Sequence, residues 1–222
     1  MLILTEKPSV AKDFAHALGC SYNSSEQIYK SPDGNLAITN CVGHLFNLQQ
    51  PEFYNPEFKH WINLPVIPEE FSYSENPQTK DVAKRVITQL KNHSKDCILI
   101  ATDADREGEV IARECLNAAG IFDYTKIKRF WVSQALTPEV IHAGIENAKP
   151  LAEYNLLSEK GFCRQKADWL VGINFTRYLS NCSGILLPVG RVQTAVLATI
   201  ASRCSKIENF HSEKYYIMKK TL

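Results

Sequence analysis

The sequence predicts an α/β fold, a parallel sheet flanked by helices, followed by a mainly helical partial domain. Three observations predict it. Residues 2–5 (LILT) and 97–101 (CILIA) are short, unbroken apolar runs, the pattern of strands buried on both faces of a parallel sheet. Strand and helix patterns then alternate through about residue 148, as crossover-linked parallel strands require. From Leu151 onward the periodicity becomes almost wholly helical. A chain of 222 residues suits one or two domains at roughly 100–200 residues each. The division is expected at 1–148 and 149–222.

The elements follow in order. After the strand at 2–5, Val10, Phe14 and Leu18 recur at helical spacing, with Ser9 placed to cap the start and Gly19 the end. Ile28-Tyr29 and Leu36 to Thr39 flank the turn cluster Ser31-Pro32-Asp33-Gly34-Asn35 and read as a hairpin. Residues 49–77 hold five of the ten prolines, so an irregular loop is expected there, clamped by Phe53, Tyr54, Phe58 and Trp61. Val82, Val86 and Leu90 mark a helix over 79–92. The strand at 97–101 leads through Thr102 to Glu109 into a helix that Gly120 stops. A strand at 127–132 precedes Thr137-Pro138-Glu139, a helix start with Pro in its first position. Residues 151–181 form one long helical pattern, 184–190 a break, and 192–207 a second helix. Tyr215 to Met218 reads as a strand without a partner, as if the chain stopped inside a larger protein.

Composition narrows the function. Hydrophobic residues make up 45% and charged residues 22%, which excludes a disordered chain. No apolar run approaches the roughly 18 residues of a membrane helix, so no membrane role is expected. The seven cysteines form no C-x-x-C pair, which disfavours a zinc knuckle or a disulfide framework; small scattered thiols suit a reducing cytoplasm. The net charge of +1 hides an asymmetry. Residues 151–222 carry ten Lys and Arg against five Asp and Glu, and residues 1–150 carry fifteen against nineteen. A basic end on an acidic body suggests nucleic acid as a partner.

The chemistry concentrates after the two apolar strands. Asp103-x-Asp105-x-Glu107 follows the second strand directly. On an extended backbone, residues two apart point the same way, and three crowded carboxylates call for a cation. Hard oxygen ligands select Mg²⁺, with Mn²⁺ as a substitute. The plainer reading is that Asp105 and Glu107 favour the N-terminus of the following helix. Glu6 ends the first strand, and ligands in open α/β sheets collect beyond the carboxyl ends of strands. If the two strands are parallel neighbours, Glu6 faces the Asp103 cluster.

These residues carry a resemblance. Glu6-Lys7-Pro8-Ser9-Val10-Ala11-Lys12 together with Ala101 to Glu109 resembles the Toprim signature in the topoisomerase III branch of type IA DNA topoisomerases. Gly43-His44-Leu45 and the stretch from Trp61 to Pro68 are similar to that family's loop after its second strand. Arg164-Gln165-Lys166-Ala167-Asp168-Trp169-Leu170-Val171-Gly172 and Val189-Gly190-Arg191-Val192-Gln193-Thr194 resemble its DNA-gate segments. Pro188, Ala195 and Cys163 depart from the family's usual residues beside those motifs. The resemblance implies a Toprim domain, a Rossmann-like parallel sheet flanked by helices, and then part of a helical DNA-gate domain. It implies an isomerase that cleaves, passes and religates single DNA strands. Glu6 and Lys7 would be catalytic; Glu6, Asp103, Asp105 and Glu107 would hold Mg²⁺. Arg164, Asp168, Arg191 and Gln193 would bind single-stranded DNA, with His44 and Arg106 as further candidates at the site.

The resemblance also implies partners in the remaining domains of a parent topoisomerase, and a cytoplasmic location with the bacterial nucleoid. The family's nucleophilic Tyr belongs to a later domain, and none of the nine Tyr here sits in a similar context. The chain alone is therefore expected to be inactive. The alternatives are a stand-alone Toprim nuclease or a DNA-binding module. The motifs between 159 and 194 separate these from a topoisomerase.

Overall fold

A computed structural model describes residues 1–220. The chain forms two compact units, Met1–Pro56 with Pro68–Ala167, and Glu57–Ile67 with Asp168–Leu222. The elements in chain order are β1 (Leu2–Thr5), α1 (Pro8–Ala17), β2 (Ser21–Asn23), β3 (Ile28–Lys30), β4 (Ala37–Asn40), β5 (Phe46–Leu48), α2 (Pro51–Tyr54), β6 (Tyr73–Glu75), α3 (Lys80–Asn92), β7 (Ile98–Ala101), α4 (Arg106–Ala118), β8 (Ile127–Arg129), α5 (Pro138–Glu146), β9 (Lys149–Pro150), α6 (Asn155–Ser183) and α7 (Gln193–Glu208).

In the first unit a seven-stranded sheet runs in the order β2-β3-β4-β1-β7-β8-β9. Its centre, β4-β1-β7-β8, is parallel, as the apolar runs imply. The edges are antiparallel: β2 and β3 fold back on β4, and β9 pairs with β8. The sheet is therefore mixed. The two edge strands β2 and β9 escape a reading of periodicity because they are short and largely exposed. Pro150 in β9 is tolerated because an edge strand does not need every N–H.

The core has two faces. Leu2, Leu4, Ile98 and Ile100 pack against Val86 and Leu90 of α3 and Ile111, Cys115 and Leu116 of α4. Ile3, Leu99 and Ala101 point the other way, onto Ala11, Phe14 and Ala15 of α1 and Ile141 of α5. Each such Leu, Ile or Phe contributes roughly 1.5–3 kcal/mol by leaving water. The register pairs Leu2 with Ile98 and Thr5 with Ala101. Both central strands therefore end at the same level, and Glu6 and Thr102 leave the sheet side by side.

Several local expectations change. Lys7, not Ser9, is the N-cap of α1, without a side-chain cap; Pro8 in the first turn needs no N–H partner. Of the four aromatics expected to clamp the 49–77 segment, Phe53 and Trp61 are exposed and Tyr54 and Phe58 are partly buried. The segment contains α2, a 3-10 turn at Pro56–Lys59 and β6, which pairs with β5. The Tyr54 hydroxyl accepts from the Ser72 N–H at 3.1 Å and closes this loop locally.

In the second unit, the later part of α6 holds the 57–67 loop. Asn174 both accepts from the Val66 N–H at 2.7 Å and donates to the Val66 carbonyl at 2.9 Å. The Arg177 guanidinium donates to the Phe58 carbonyl and lies over the Trp61 ring. After α6 the chain turns back through Val189, whose N–H donates to the Thr176 hydroxyl at 2.8 Å. The strand expected at 215–218 is not formed. Residues 210–220 have no regular structure, and among the described residues no strand pairs with them; Tyr215 to Met218 are exposed.

A buried ion triad fixes the end of β7. Glu109 of α4 accepts from Arg113 at 2.9 Å and from Arg129 at 3.0 Å, all three buried. The Arg129 guanidinium also donates to the carbonyls of Thr102 and Phe130, both at 2.8 Å, and of Asp103 at 2.6 Å. Burial pulls its pKa down, and the Glu109 carboxylate opposes that fall. Arg129→Met is expected to destabilise the chain by about 3–5 kcal/mol, since it removes one of the two buried cations on Glu109 and leaves the carbonyls of Thr102, Asp103 and Phe130 without this donor. Arg129→Lys should not restore stability, because one ammonium cannot span these acceptors. Urea unfolding of the three proteins measures both.

Candidate active site

Glu6, at the end of β1, is almost fully buried. Its Oε2 accepts from the Asp103 N–H at 3.2 Å, so the parallel register brings the two acids together as expected. Burial, and then the neighbouring Asp103 carboxylate, push the Glu6 pKa up. The Lys7 ammonium lies 2.5 Å from Asp103 Oδ2 and 3.6 Å from Glu6 Oε1. Its bond to Asp103 raises its own pKa.

The three acids after β7 meet different partners, since Asp105, still extended, caps α4 and Glu107 already lies within that helix. Asp103 turns to Lys7. Asp105 is the N-cap of α4, its Oδ1 accepting from the Gly108 N–H at 2.7 Å. Glu107 lies in the first turn of α4, where its carboxylate meets Arg164 Nη1 at 3.1 Å, His44 Nε2 at 3.6 Å and Arg106 Nε at 3.9 Å. Among the described residues no three His, Cys, Asp or Glu side chains form a ready metal cluster. Lys7 pairs with Glu6 and Asp103, and Arg106 and Arg164 pair with Glu107.

The backbone of the 102–105 loop is locked. The Thr102 hydroxyl donates to the Gly108 carbonyl at 2.7 Å. A Cβ on Gly108 would collide with the Asp103 carbonyl oxygen, so α4 approaches this loop as closely as glycine permits. Gly43, at φ +83°, donates its N–H to the Glu6 carbonyl at 3.2 Å and brings the next residue, His44, to the acids.

A second group of polar residues lies behind Glu107, and the sequence did not disclose it. Glu114 is buried two turns further along α4. It receives His44 Nδ1 at 3.3 Å and the Gln165 side-chain N–H at 2.8 Å, and Gln165 accepts from the Tyr73 hydroxyl at 2.9 Å. The bond to Glu114 raises the His44 pKa. Burial, with Glu114 beside it, raises that of Tyr73. The spacing from Glu107 to Glu114 on one helix face was the available signal. In the second unit, Arg191 Nη1 lies 2.9 Å from Asp168 Oδ1, and Gln193 opens α7. The Gly190 N–H donates to the Thr194 hydroxyl at 3.1 Å and steadies that helix start.

Comparison with known proteins bears on both units. The Toprim domain family matches residues 1–135, and the DNA topoisomerase family matches residues 152–222. DNA topoisomerase 3 of Bacillus cereus is 36% identical over 217 residues, 97% of this chain and 29% of that protein. DNA topoisomerase 3 of Staphylococcus epidermidis is 38% identical over 219 residues, 98% of this chain and 30% of that protein. The chain thus spans less than a third of these relatives' length. The structure of full-length topoisomerase I from Thermotoga maritima matches with a TM-score of 0.63 at 23% identity, over 95% of this chain and 31% of that one. At that identity the likeness speaks for the fold alone.

The Asp105 cap separates two roles of that carboxylate. Asp105→Ala is expected to lose about 1 kcal/mol of stability, and Asp105→Asn, whose side-chain oxygen can still cap, to stay near the parent in thermal or urea unfolding. His44 gives a pH signature. Its raised pKa means the imidazolium stabilises the fold fully below the ordinary histidine value of about 6.5, and this stabilisation is lost as the pH rises through the raised folded value. Glu114→Gln should bring the His44 pKa down toward its ordinary value in an NMR titration.

Proposed function

The chain belongs to the type IA DNA topoisomerases, carrying their Toprim domain and the first part of the DNA topoisomerase domain, and from that premise we propose that it serves a Mg²⁺-dependent enzyme that cleaves, passes and religates single DNA strands. The observation that carries this reading is the meeting of Glu6, Lys7 and Asp103 at the ends of two parallel strands. It supports an acid and a phosphate-binding cation acting on one phosphodiester. Glu6, buried and beside a second carboxylate, keeps its proton more readily than a solvated acid, which suits a proton donor to a leaving oxygen. Lys7, half exposed beside it, suits contact with the scissile phosphate.

The donor set fits a divalent cation. Glu6, Asp103, Asp105 and Glu107 offer only carboxylate oxygens, which hard cations prefer, and the Lys7 ammonium already stands between two of them as a cationic substitute. These four residues would hold Mg²⁺, or Mn²⁺ in its place, which when bound supplies charge neutralisation for religation. Arg106 and His44 would steady Glu107 at the rim.

We assign 1–148 as the Toprim domain and 149–222 as the start of the DNA-gate domain. Single-stranded DNA would be met by Arg164 in the first unit and by Arg191, Gln193 and Asp168 in the second. Guanidinium groups suit phosphate, and Gln suits base or sugar edges. No helix among the described residues is long and apolar enough to cross a membrane, and a cytoplasmic, nucleoid-associated setting fits this reading. The chain by itself is not expected to relax DNA. Its relatives extend well beyond the matched region, and the hydroxyls of Tyr54 and Tyr73 are engaged by Ser72 and Gln165.

The reading is tested by fluorescence anisotropy of a labelled single-stranded oligonucleotide at several salt concentrations. Log affinity should fall linearly with log salt, by about 0.7 for each phosphate neutralised on a single strand. Arg191→Ala should weaken binding and flatten the slope. A salt-independent affinity, or an unchanged mutant, would count against it.

A further inference from the structure

The side chains held against the acids of the first unit are the ones the proposed function assigns to phosphate. Lys7 sits on Asp103 and Glu6, and Arg164 sits on Glu107. We propose that this cluster is an exchange site, at which a divalent cation and the side chains of Lys7 and Arg164 compete for the same carboxylate oxygens. Metal loading turns both side chains over to nucleic-acid phosphate, so metal and DNA bind with positive coupling. The inference rests on the reading of these acids as the metal's ligands and deepens it.

Three observations carry it. The oxygen nearest Lys7, Asp103 Oδ2 at 2.5 Å, belongs to the carboxylate best placed with Glu6 for a cation. A dication bound to those oxygens at the roughly 2.1 Å of Mg²⁺ ligation would repel an ammonium left in contact with them. The partners are partly exposed and can turn without unpacking the core. Lys7 is 51% exposed, Glu107 50% and Arg164 36% at the side chain, whereas the loop backbone that carries Asp103 is held by buried bonds. Finally, metal in place of Lys7 and Arg164 leaves both cations at the rim without those carboxylates, and phosphate oxygens are the chemistry they match.

The sign of the effect is diagnostic. Without exchange, Mg²⁺ lowers affinity for a nucleic acid, because it occupies the phosphates that the protein must reach. With exchange, affinity rises, and by linkage DNA tightens metal binding by the same factor.

The test uses the full chain and a labelled oligothymidylate, with NaCl adjusted so that ionic strength is equal with and without MgCl₂. Wild type should bind at least about fivefold tighter with Mg²⁺, the lower end of ordinary coupling. Asp103→Asn and Glu107→Gln, each checked for an unchanged melting temperature, should bind tighter than wild type in metal-free buffer and respond less to Mg²⁺. Lys7→Ala should lose part of the Mg²⁺ increment. Mn²⁺ binding is followed in parallel by electron paramagnetic resonance. No Mn²⁺ binding would overturn the metal reading and the exchange together. Mn²⁺ binding with unchanged or weakened DNA affinity, or both neutralised variants binding DNA more weakly than wild type without metal, would overturn the exchange and leave the metal reading standing.

Discussion

Arg129 and Glu109 form the interaction on which the site depends. Four elements meet at this pair: β7 through the carbonyls at its end, β8 through Arg129 itself, α4 through Glu109, and the segment before α6 through Arg113, which donates to the Leu151 carbonyl at 2.9 Å. A buried ion pair is weak evidence for net stability, since desolvating two charges offsets much of their attraction. Its value here is geometric. The guanidinium satisfies carbonyls that the end of a parallel strand would otherwise leave unpaired in the interior. The backbone can therefore leave the sheet at Thr102 at one defined angle.

The acids at the site follow from that angle and from the register of two apolar strands. Neither β1 nor β7 carries a functional side chain, yet their equal lengths place Glu6 against the Asp103 N–H. Crowding of Glu6 and Asp103 is offset in part by Lys7, which lies on both. The same logic repeats one turn along α4, where Glu107 meets Arg164 and His44, and again at Glu114, which is buried and relies on His44 and Gln165. Glu107 and Glu114, two turns apart on α4, are each matched with basic or amide side chains from distant parts of the chain.

How much of this was legible in the sequence depended on range. The runs at 2–5 and 97–101, Gly120 as a stop and Pro138 as a start act within a few residues, and each was readable. The meeting of Glu6 with the Asp103 loop was also readable, because ligand sites at strand ends follow from topology. Glu109 and Arg129 were not, since twenty residues part them and nothing local marks an arginine as buried. The capping role of Asp105 was the plainer of its two readings, and the structure shows that cap. Its backbone is still extended, but its carboxylate turns to the Gly108 N–H at the start of α4. The Tyr215 to Met218 segment has strand-forming composition, but composition does not supply the neighbouring strand that a ladder needs.

Gly108 presses against the Asp103 carbonyl with no room for a methyl group, and this bears on the cost of binding. That contact leaves the backbone beneath the acids little room to rearrange around a ligand. What it must still arrest is a few long side chains, at about 0.5–1.5 kcal/mol of rotamer freedom each. Side-chain rotamers at exposed positions change within nanoseconds. The ordering cost of engagement at this end of the sheet therefore falls on these side chains rather than on the carboxylate loop.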